Sequence, residues 1–236
     1  MQIFLYLCSR FYLNYMKQAY FFDMDGVLFD SMPNHAQAWD DVMKKHGLDF
    51  TAQDCYRQEG RTGQDVIHHA IWQKEHREAS EEEIWAIYRE KSDRFHELGG
   101  AGPMRGVKDI LDYLIAQGKL LFVVTGSGQQ TLFDELNKTF PNAFARERMV
   151  TALDVTKGKP DPEPYLRAWE KSGLEKSECC VIENAPMGIR AGKAAGLFTI
   201  GVNTGPLPDD DLYSAGADIV VKDMAALLAY LIQVHI

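Results

Sequence analysis

Five short apolar runs, each leading through a turn into a helix-like pattern, constrain the fold of this chain more than any other feature. They lie at residues 19–22, 120–124, 179–182, 198–202 and 218–221. Rich in Val, Ile and Phe, they suit strands buried on both faces of a parallel sheet. Helical patterns fill the gaps. Val107, Ile110, Leu111, Leu114 and Ile115 recur at helical spacing and stop at Gly118. Further helices are predicted over 129–140, 164–171, 185–195 and 223–232, the third opened by Pro186 and closed by Gly196. Alternating strands and helices predict a doubly wound α/β sheet.

Residues 35–98 break the alternation. They hold helical patterns at 35–46, 64–77 and 80–98, the last opened by Ser80 with Glu83 three residues on, a capping box. This is read as an all-helical insertion after the first strand, joined through 30–33 and the Gly- and Pro-rich 99–106. The expected division is an N-terminal extension at 1–16, a core of 17–32 and 104–236, and a helical cap at 33–103. A length of 236 residues, against ~150 per domain, suits one domain carrying an inserted partner.

Composition closes off other classes. Lys plus Arg is 25 against 34 for Asp plus Glu, a net charge of −9. Nucleic-acid affinity rests on Lys and Arg displacing counterions, so nucleic acid is not expected as a ligand. Beyond the extension no run approaches ~18 uninterrupted apolar residues, and no membrane span is expected. The extension is aromatic, with one charge at Arg10. It is too short to span and lacks the basic start and cleavage site of a signal. It reads as a translation extension with the natural start near Met16; a short membrane-touching anchor is the alternative. Cys8, Cys55, Cys179 and Cys180 form no CxxC pair and read as small buried hydrophobes in a reducing, cytoplasmic compartment. His68 and His69 read as solvated or packing residues.

Three of the predicted strands end in a polar residue at the carboxyl edge, where open α/β sheets bind ligands: Asp23, Thr125 and Glu183. In Asp23-Met24-Asp25-Gly26, two carboxylates two residues apart can share one metal or divide two roles. Thr125-Gly126-Ser127-Gly128 offers a hydroxyl and backbone amides at a helix start, an anion site. It is not G-x-G-x-x-G, because position 131 is Thr, and not G-x-S-x-G, because position 125 is Thr. Lys159 is presented from a loop stiffened by Pro160, Pro162 and Pro164. Glu183-Asn184 supplies hard oxygen ligands suited to Mg²⁺. Each signal alone matches an ordinary turn. Jointly they supply a carboxylate nucleophile, divalent-ion donors and groups for the remaining phosphoryl oxygens, as transfer through an aspartyl-phosphate requires.

The segment Phe21-Phe22-Asp23-Met24-Asp25-Gly26-Val27-Leu28-Phe29-Asp30-Ser31 resembles the first motif of the haloacid dehalogenase superfamily. Thr125 resembles its second motif, Lys159 its third and Glu183-Asn184 its fourth. The run from Val181 through Glu183-Asn184-Ala185-Pro186-Met187-Gly188-Ile189 to Ala194-Ala195-Gly196 resembles the β-phosphoglucomutase-like subgroup, which carries a helical cap on a Rossmann-like core. The resemblance covers roughly residues 17 to 225. It implies that Asp23 is nucleophile and Mg²⁺ ligand. It implies that Asp25 is general acid and then base, with its carbonyl on the metal. Thr125 and the Gly126 amide would hold the phosphoryl group, Lys159 would bridge Asp23 and phosphate, and Glu183 and Asn184 would hold Mg²⁺. Asn184 departs from the commoner acidic residue, so one negative charge is missing at the metal.

The cap decides the substrate. His35 stands at the spacing of the subgroup's hinge histidine. Residues 58–63 correspond to its specificity loop, where Arg61 suits a distal phosphate. Glu59 is either a solvated loop acid or, beside Mg²⁺, a replacement for the charge lost at Asn184. The subgroup's cap lysine falls by spacing near Glu97, leaving Lys91 as a local substitute that otherwise reads as an exposed helix lysine. A cap acid at the metal leaves little room for a hexose and suits pyrophosphate. Some bacterial members with a very similar E-G-R-T-G loop and E-N-A-P motif are inorganic pyrophosphatases, and this chain is similar to them. The expectation is a monomeric Mg²⁺-dependent phosphohydrolase acting on a small phosphorylated molecule, pyrophosphate favoured. The alternative is a β-phosphoglucomutase. A non-catalytic phosphate-binding module is disfavoured because Asp23, Asp25 and Lys159 are all present.

Overall fold

The computed structural model describes residues 17–99, 101–128 and 132–235. The 1–16 extension with Cys8, and the start of the predicted 129–140 helix, lie outside the described residues. Six parallel strands form one sheet: β1 (Ala19–Phe22), β2 (Leu120–Val124), β3 (Met149–Val150), β4 (Cys179–Glu183), β5 (Phe198–Val202) and β6 (Ile219–Val221), in the order β3-β2-β1-β4-β5-β6. Alternate residues of each strand feed opposite faces. Tyr20, Phe22, Leu121, Val123, Cys180 and Ile182 pack on one side, and Ala19, Phe21, Phe122, Val124, Cys179 and Val181 on the other. Both faces are buried, which explains why the strands read as unbroken apolar runs.

Among the described residues ten α-helices accompany the sheet. Of these, α5 (Val107–Ala116), α6 (Leu132–Thr139) and α10 (Met224–His235) pack on the Phe22 face, while α7 (Glu163–Ser172) and α8 (Pro186–Ala194) pack on the Phe21 face. The insertion carries its own core, in which Trp39, Met43, Ile67, Ile71 and Ile87 pack together across α1 (Met32–Lys45), α3 (Gly63–Glu75) and α4 (Glu81–Glu97). The short α9 (Asp209–Ser214) packs against α8. Among the described residues no helix is long and apolar enough to cross a membrane. Cys55, Cys179 and Cys180 are buried and free.

Three elements escaped the sequence reading. Strand β3 has two residues, too few for any periodicity, and α9 is an acidic single turn and a half. Helix α2 (Ala52–Gln58) is opened by a capping box of Thr51 and Asp54, a signal that was in the sequence. At Ser80 only half of the expected box forms. The hydroxyl accepts from Glu83 N at 3.2 Å, but the Glu83 carboxylate is held by the Arg77 fork at 2.7 and 2.8 Å. The last strand begins at Ile219, because the Asp218 carboxylate turns to Thr199 N and Lys193 instead.

Register places the site. Phe22 lies beside Val123 on one side and Ile182 on the other, so β1, β2 and β4 end together. Strand β1 is where the order reverses, since the chain winds outward through β2 and β3 and then returns to β4 on the far side. Ligands bind outside the carboxyl ends of strands at such a reversal.

Candidate active site

The residue after β1 is Asp23, whose amide still donates to Ile182 O at 3.0 Å. Its carboxylate therefore leaves the sheet in a fixed direction, and it is 5% exposed. Lys159 reaches it from the loop before α7. Lys159 is 2% exposed, and its ammonium donates three ways: to Asp23 Oδ1, to Val124 O at 3.1 Å and to Glu183 Oε1 at 2.7 Å. An ammonium has three protons, so its donors are fully used. Glu183 closes β4, one residue beyond the predicted end, and is equally occupied. Its Oε1 also accepts from Tyr165 Oη at 2.7 Å, and its Oε2 accepts from the amides of Asn184 and Ala185 at 3.1 and 3.4 Å. Burial pushes Asp23 up to about 8, with Lys159 opposing and Glu183 and Asp25 adding to the rise.

Asp25 is controlled by the connection to the cap. Ser31 stands at the N-cap of α1 but does not cap it; its hydroxyl donates instead to Asp25 Oδ1 at 2.5 Å. His35, on the first turn of α1, brings Nε2 to the same oxygen at 3.3 Å, and Lys91 Nζ lies 2.6 Å from His35 Nδ1. An ammonium can only donate, so Nδ1 accepts and the ring proton sits on Nε2, facing Asp25. Burial alone would raise Asp25, but His35, Ser31 and Lys91 outweigh it and hold the carboxyl down at about 2. The His35 ring stacks on Phe95 with centroids 4.1 Å apart.

Lys91 corrects the sequence reading. It is 7% exposed rather than solvated, with its ammonium over the rings of Trp39 and Phe95 at 5.2 and 5.3 Å. Glu97, where spacing had put the cap position, is two turns away and pairs with Arg94 at 3.1 Å on the surface.

Directly after β2, Thr125 is buried, and its Oγ1 accepts from Ser127 N at 3.1 Å. The hydroxyl's own proton remains available for a ligand. From the cap, residues 58–63 press onto this centre. Gly60 has φ +91°, and a Cβ there would come within 2.9 Å of the Lys159 side chain, so only glycine permits this approach. The loop delivers Glu59 to Asn184, whose Nδ2 donates to Glu59 Oε2 at 2.9 Å. Burial, then Asp23, Glu183 and Asp25, raise Glu59 well above the ordinary carboxyl range. Glu59 Oε1 and Asn184 Oδ1 are both buried without a partner.

Those two orphaned oxygens test whether a divalent cation fits. Among the described residues no three His, Cys, Asp or Glu side chains already close on one point. The donors are of mixed kind: carboxylate oxygens of Asp23 and Glu59, an amide oxygen of Asn184 and the main-chain carbonyl of Asp25. All are hard oxygens suited to Mg²⁺, and the crowding of acids needs a positive charge. The residues fit the ion.

A cavity of about 510 Å³ opens between cap and core, lined by Asp25, His35, Glu59, Arg61, Lys91 and Ser127. Asp23, Thr125 and Lys159 are not among its walls, since the 58–63 loop lies over them. The structure thus brings every residue expected at the site to one region. Sequence reasoning missed the role of Ser31, which it quoted only as the end of the first motif, and Tyr165, which occupies an apolar helix position with nothing to mark its hydroxyl.

Residues 20–202 match the model of a family described as haloacid dehalogenase-like hydrolase. Hexitol phosphatase A of Escherichia coli is 32% identical over 79% of this chain and 83% of its own. A phosphorylated carbohydrates phosphatase of Thermotoga maritima is 30% identical over 87% and 94%. A solved structure from Bacteroides vulgatus, provisionally named a β-phosphoglucomutase, is 44% identical, covers 98% of this chain and 93% of its own, and superposes with a TM-score of 0.90.

Proposed function

Since the chain belongs to the haloacid dehalogenase-like hydrolase family, in its β-phosphoglucomutase-like subgroup, we propose that it is a Mg²⁺-dependent monomeric phosphohydrolase working through an aspartyl-phosphate, with pyrophosphate the favoured substrate. Asp23 attacks phosphorus while Asp25 passes a proton to the departing oxygen, a proton it must first take up as the substrate enters, because His35, Ser31 and Lys91 keep it ionised in the resting site. Asp25 then takes a proton from water, whose oxygen attacks phosphorus and frees Asp23. Ser31 and His35 share Asp25 Oδ1, which leaves Oδ2 for the proton. Thr125 Oγ1 and the Gly126 amide hold the phosphoryl oxygens, and Lys159 contributes its charge beside them while it stays bonded to Asp23. Asp23, the Asp25 carbonyl, Asn184 Oδ1 and Glu59 would hold Mg²⁺, which supplies charge screening between the nucleophile and the phosphoryl group. Glu183, expected from the family resemblance to hold the ion as well, has all four lone-pair positions occupied, so in this reading it stands behind these ligands rather than among them.

The observation that carries the reading is the Glu59–Asn184 bond with an orphaned oxygen on each side. A carboxylate there repels a phosphate dianion unless a cation stands between them, and it takes the space a sugar ring would use. Arg61 and Lys91, on the cap side of the cavity, are then cations available for a second phosphate. A second reading, hydrolysis or isomerisation of a sugar phosphate, is favoured by the 510 Å³ cavity and by the relatives' sugar-phosphate substrates. The test is phosphate release with Mg²⁺ from pyrophosphate, β-glucose 1-phosphate and small phosphate esters, with Asp23→Asn as the blank. Fast turnover of pyrophosphate alone supports the first reading. Glucose 6-phosphate formed from β-glucose 1-phosphate without free phosphate would replace it with a mutase.

A further inference from the structure

We propose that Tyr165 is a positioning residue of this centre, its hydroxyl pinning the Glu183 carboxylate so that Lys159 stays shared between Glu183 and Asp23. The proposal rests on the reading above. Tyr165 lies on the first turn of α7, is 0% exposed and packs among Phe21, Phe122 and Val181. A phenol placed so deep must satisfy its hydroxyl. Many core tyrosines do so on a backbone carbonyl. This one donates to Glu183 Oε1 at 2.7 Å, and its ring centroid lies 5.2 Å from the Lys159 ammonium.

Glu183 Oε1 therefore receives two donors at 2.7 Å, one charged and one neutral. The other oxygen takes two backbone amides. The carboxylate has no slack, and even a methyl group at Gly188 would fall 1.7 Å from Oε1. Without the phenol, Oε1 keeps only Lys159. Water cannot replace the lost donor in a dry core, so the ammonium is drawn toward Glu183 and away from Asp23. Asp23 then faces substrate and Mg²⁺ less neutralised and less fixed. Phe at 165 keeps the ring, its packing and its contact with the ammonium, so the hydroxyl can be removed alone.

The test is Tyr165→Phe, read by calorimetric Mg²⁺ titration without substrate and by phosphate release on the best substrate of the panel. Partners behind the ligands of a metal site typically contribute 10–100-fold, and Tyr165 acts through Glu183 and Lys159 on Asp23, so the low end applies: the Mg²⁺ Kd rises about 10-fold and kcat falls about 10-fold, with KM within about twofold. The control is Trp169→Phe on the same helix, whose indole donates to Leu174 O at 2.8 Å. It lowers the melting temperature and leaves Mg²⁺ affinity and kcat unchanged. In a Glu183→Gln background the Tyr165→Phe change has little further effect, because its acceptor is already altered. If Tyr165→Phe shifts only the melting temperature, or changes kcat equally in both backgrounds, the inference is overturned. A wild-type protein that binds no Mg²⁺ and releases no phosphate overturns instead the reading beneath it.

Discussion

The core half and the cap half of the site satisfy their polar atoms in opposite ways. On the core side Lys159 uses all three protons and Glu183 all four acceptor positions. On the cap side Gln58 Oε1, Glu59 Oε1 and Arg61 Nε are buried without partners, and among the described residues the core atom in the same condition is Asn184 Oδ1, on the side chain whose Nδ2 donates to Glu59. Each orphaned group costs about 1–3 kcal/mol. The core half is thus preorganised and needs nothing further to hold its shape. The cap loop carries a deficit that only something arriving at the seam can fill, and such groups in a native fold call for an explanation of this kind. Positioning is built into strand ends, and recognition is left to a loop.

Four changes break or sharpen that contrast. The largest is Asp23→Asn, which removes the nucleophile and lowers phosphate release on the order of 10⁴-fold or more, measured with saturating Mg²⁺. Residual turnover within tenfold of wild type would mean that Asp23 is not the attacking group. Next, Ile67→Ala opens a hole in the cap's own core and costs about 2–5 kcal/mol in urea unfolding. If the two cores are separable, that loss comes with a second transition, whereas a single shifted transition would show them folding as one unit. Third, Glu59→Ala raises the half-saturating Mg²⁺ concentration for phosphate release by about 10–100-fold. An unchanged Mg²⁺ dependence would leave the orphaned oxygens without a cation to explain them. The smallest is Arg57→Ala, which breaks a solvent-exposed pair with Asp211 across cap and core at 3.7 Å. Exposed pairs are worth about 0–1 kcal/mol, so the expected change in melting temperature is marginal.

The same contrast explains what could be read from the sequence. The strands were legible because burial on both faces leaves no polar interruption. The core site was legible because strand ends confine Asp23, Thr125 and Glu183 to one edge, whatever the details of the loops. The cap was harder. Lys91 reads as an exposed helix lysine, because charge on a helix normally faces water, and only the aromatic walls from Trp39 and Phe95 show that it turns inward. Counting along the chain put the cap position near Glu97, since spacing across a helical insertion has no strand register to fix it. Ser31 was missed for a related reason: it stood four residues before the helix predicted from His35, and only the fold shows its hydroxyl turning to Asp25.

The bond from Asn184 to Glu59 crosses between segments that are 125 residues apart in the chain, one in the core and one in the cap. A cation held by both would bind only when they meet. By reciprocity, the factor by which closing tightens the ion is the factor by which the ion favours closing. The ambient Mg²⁺ level would then act as a ligand of the cap's hinge, setting what fraction of molecules is shut before any substrate arrives.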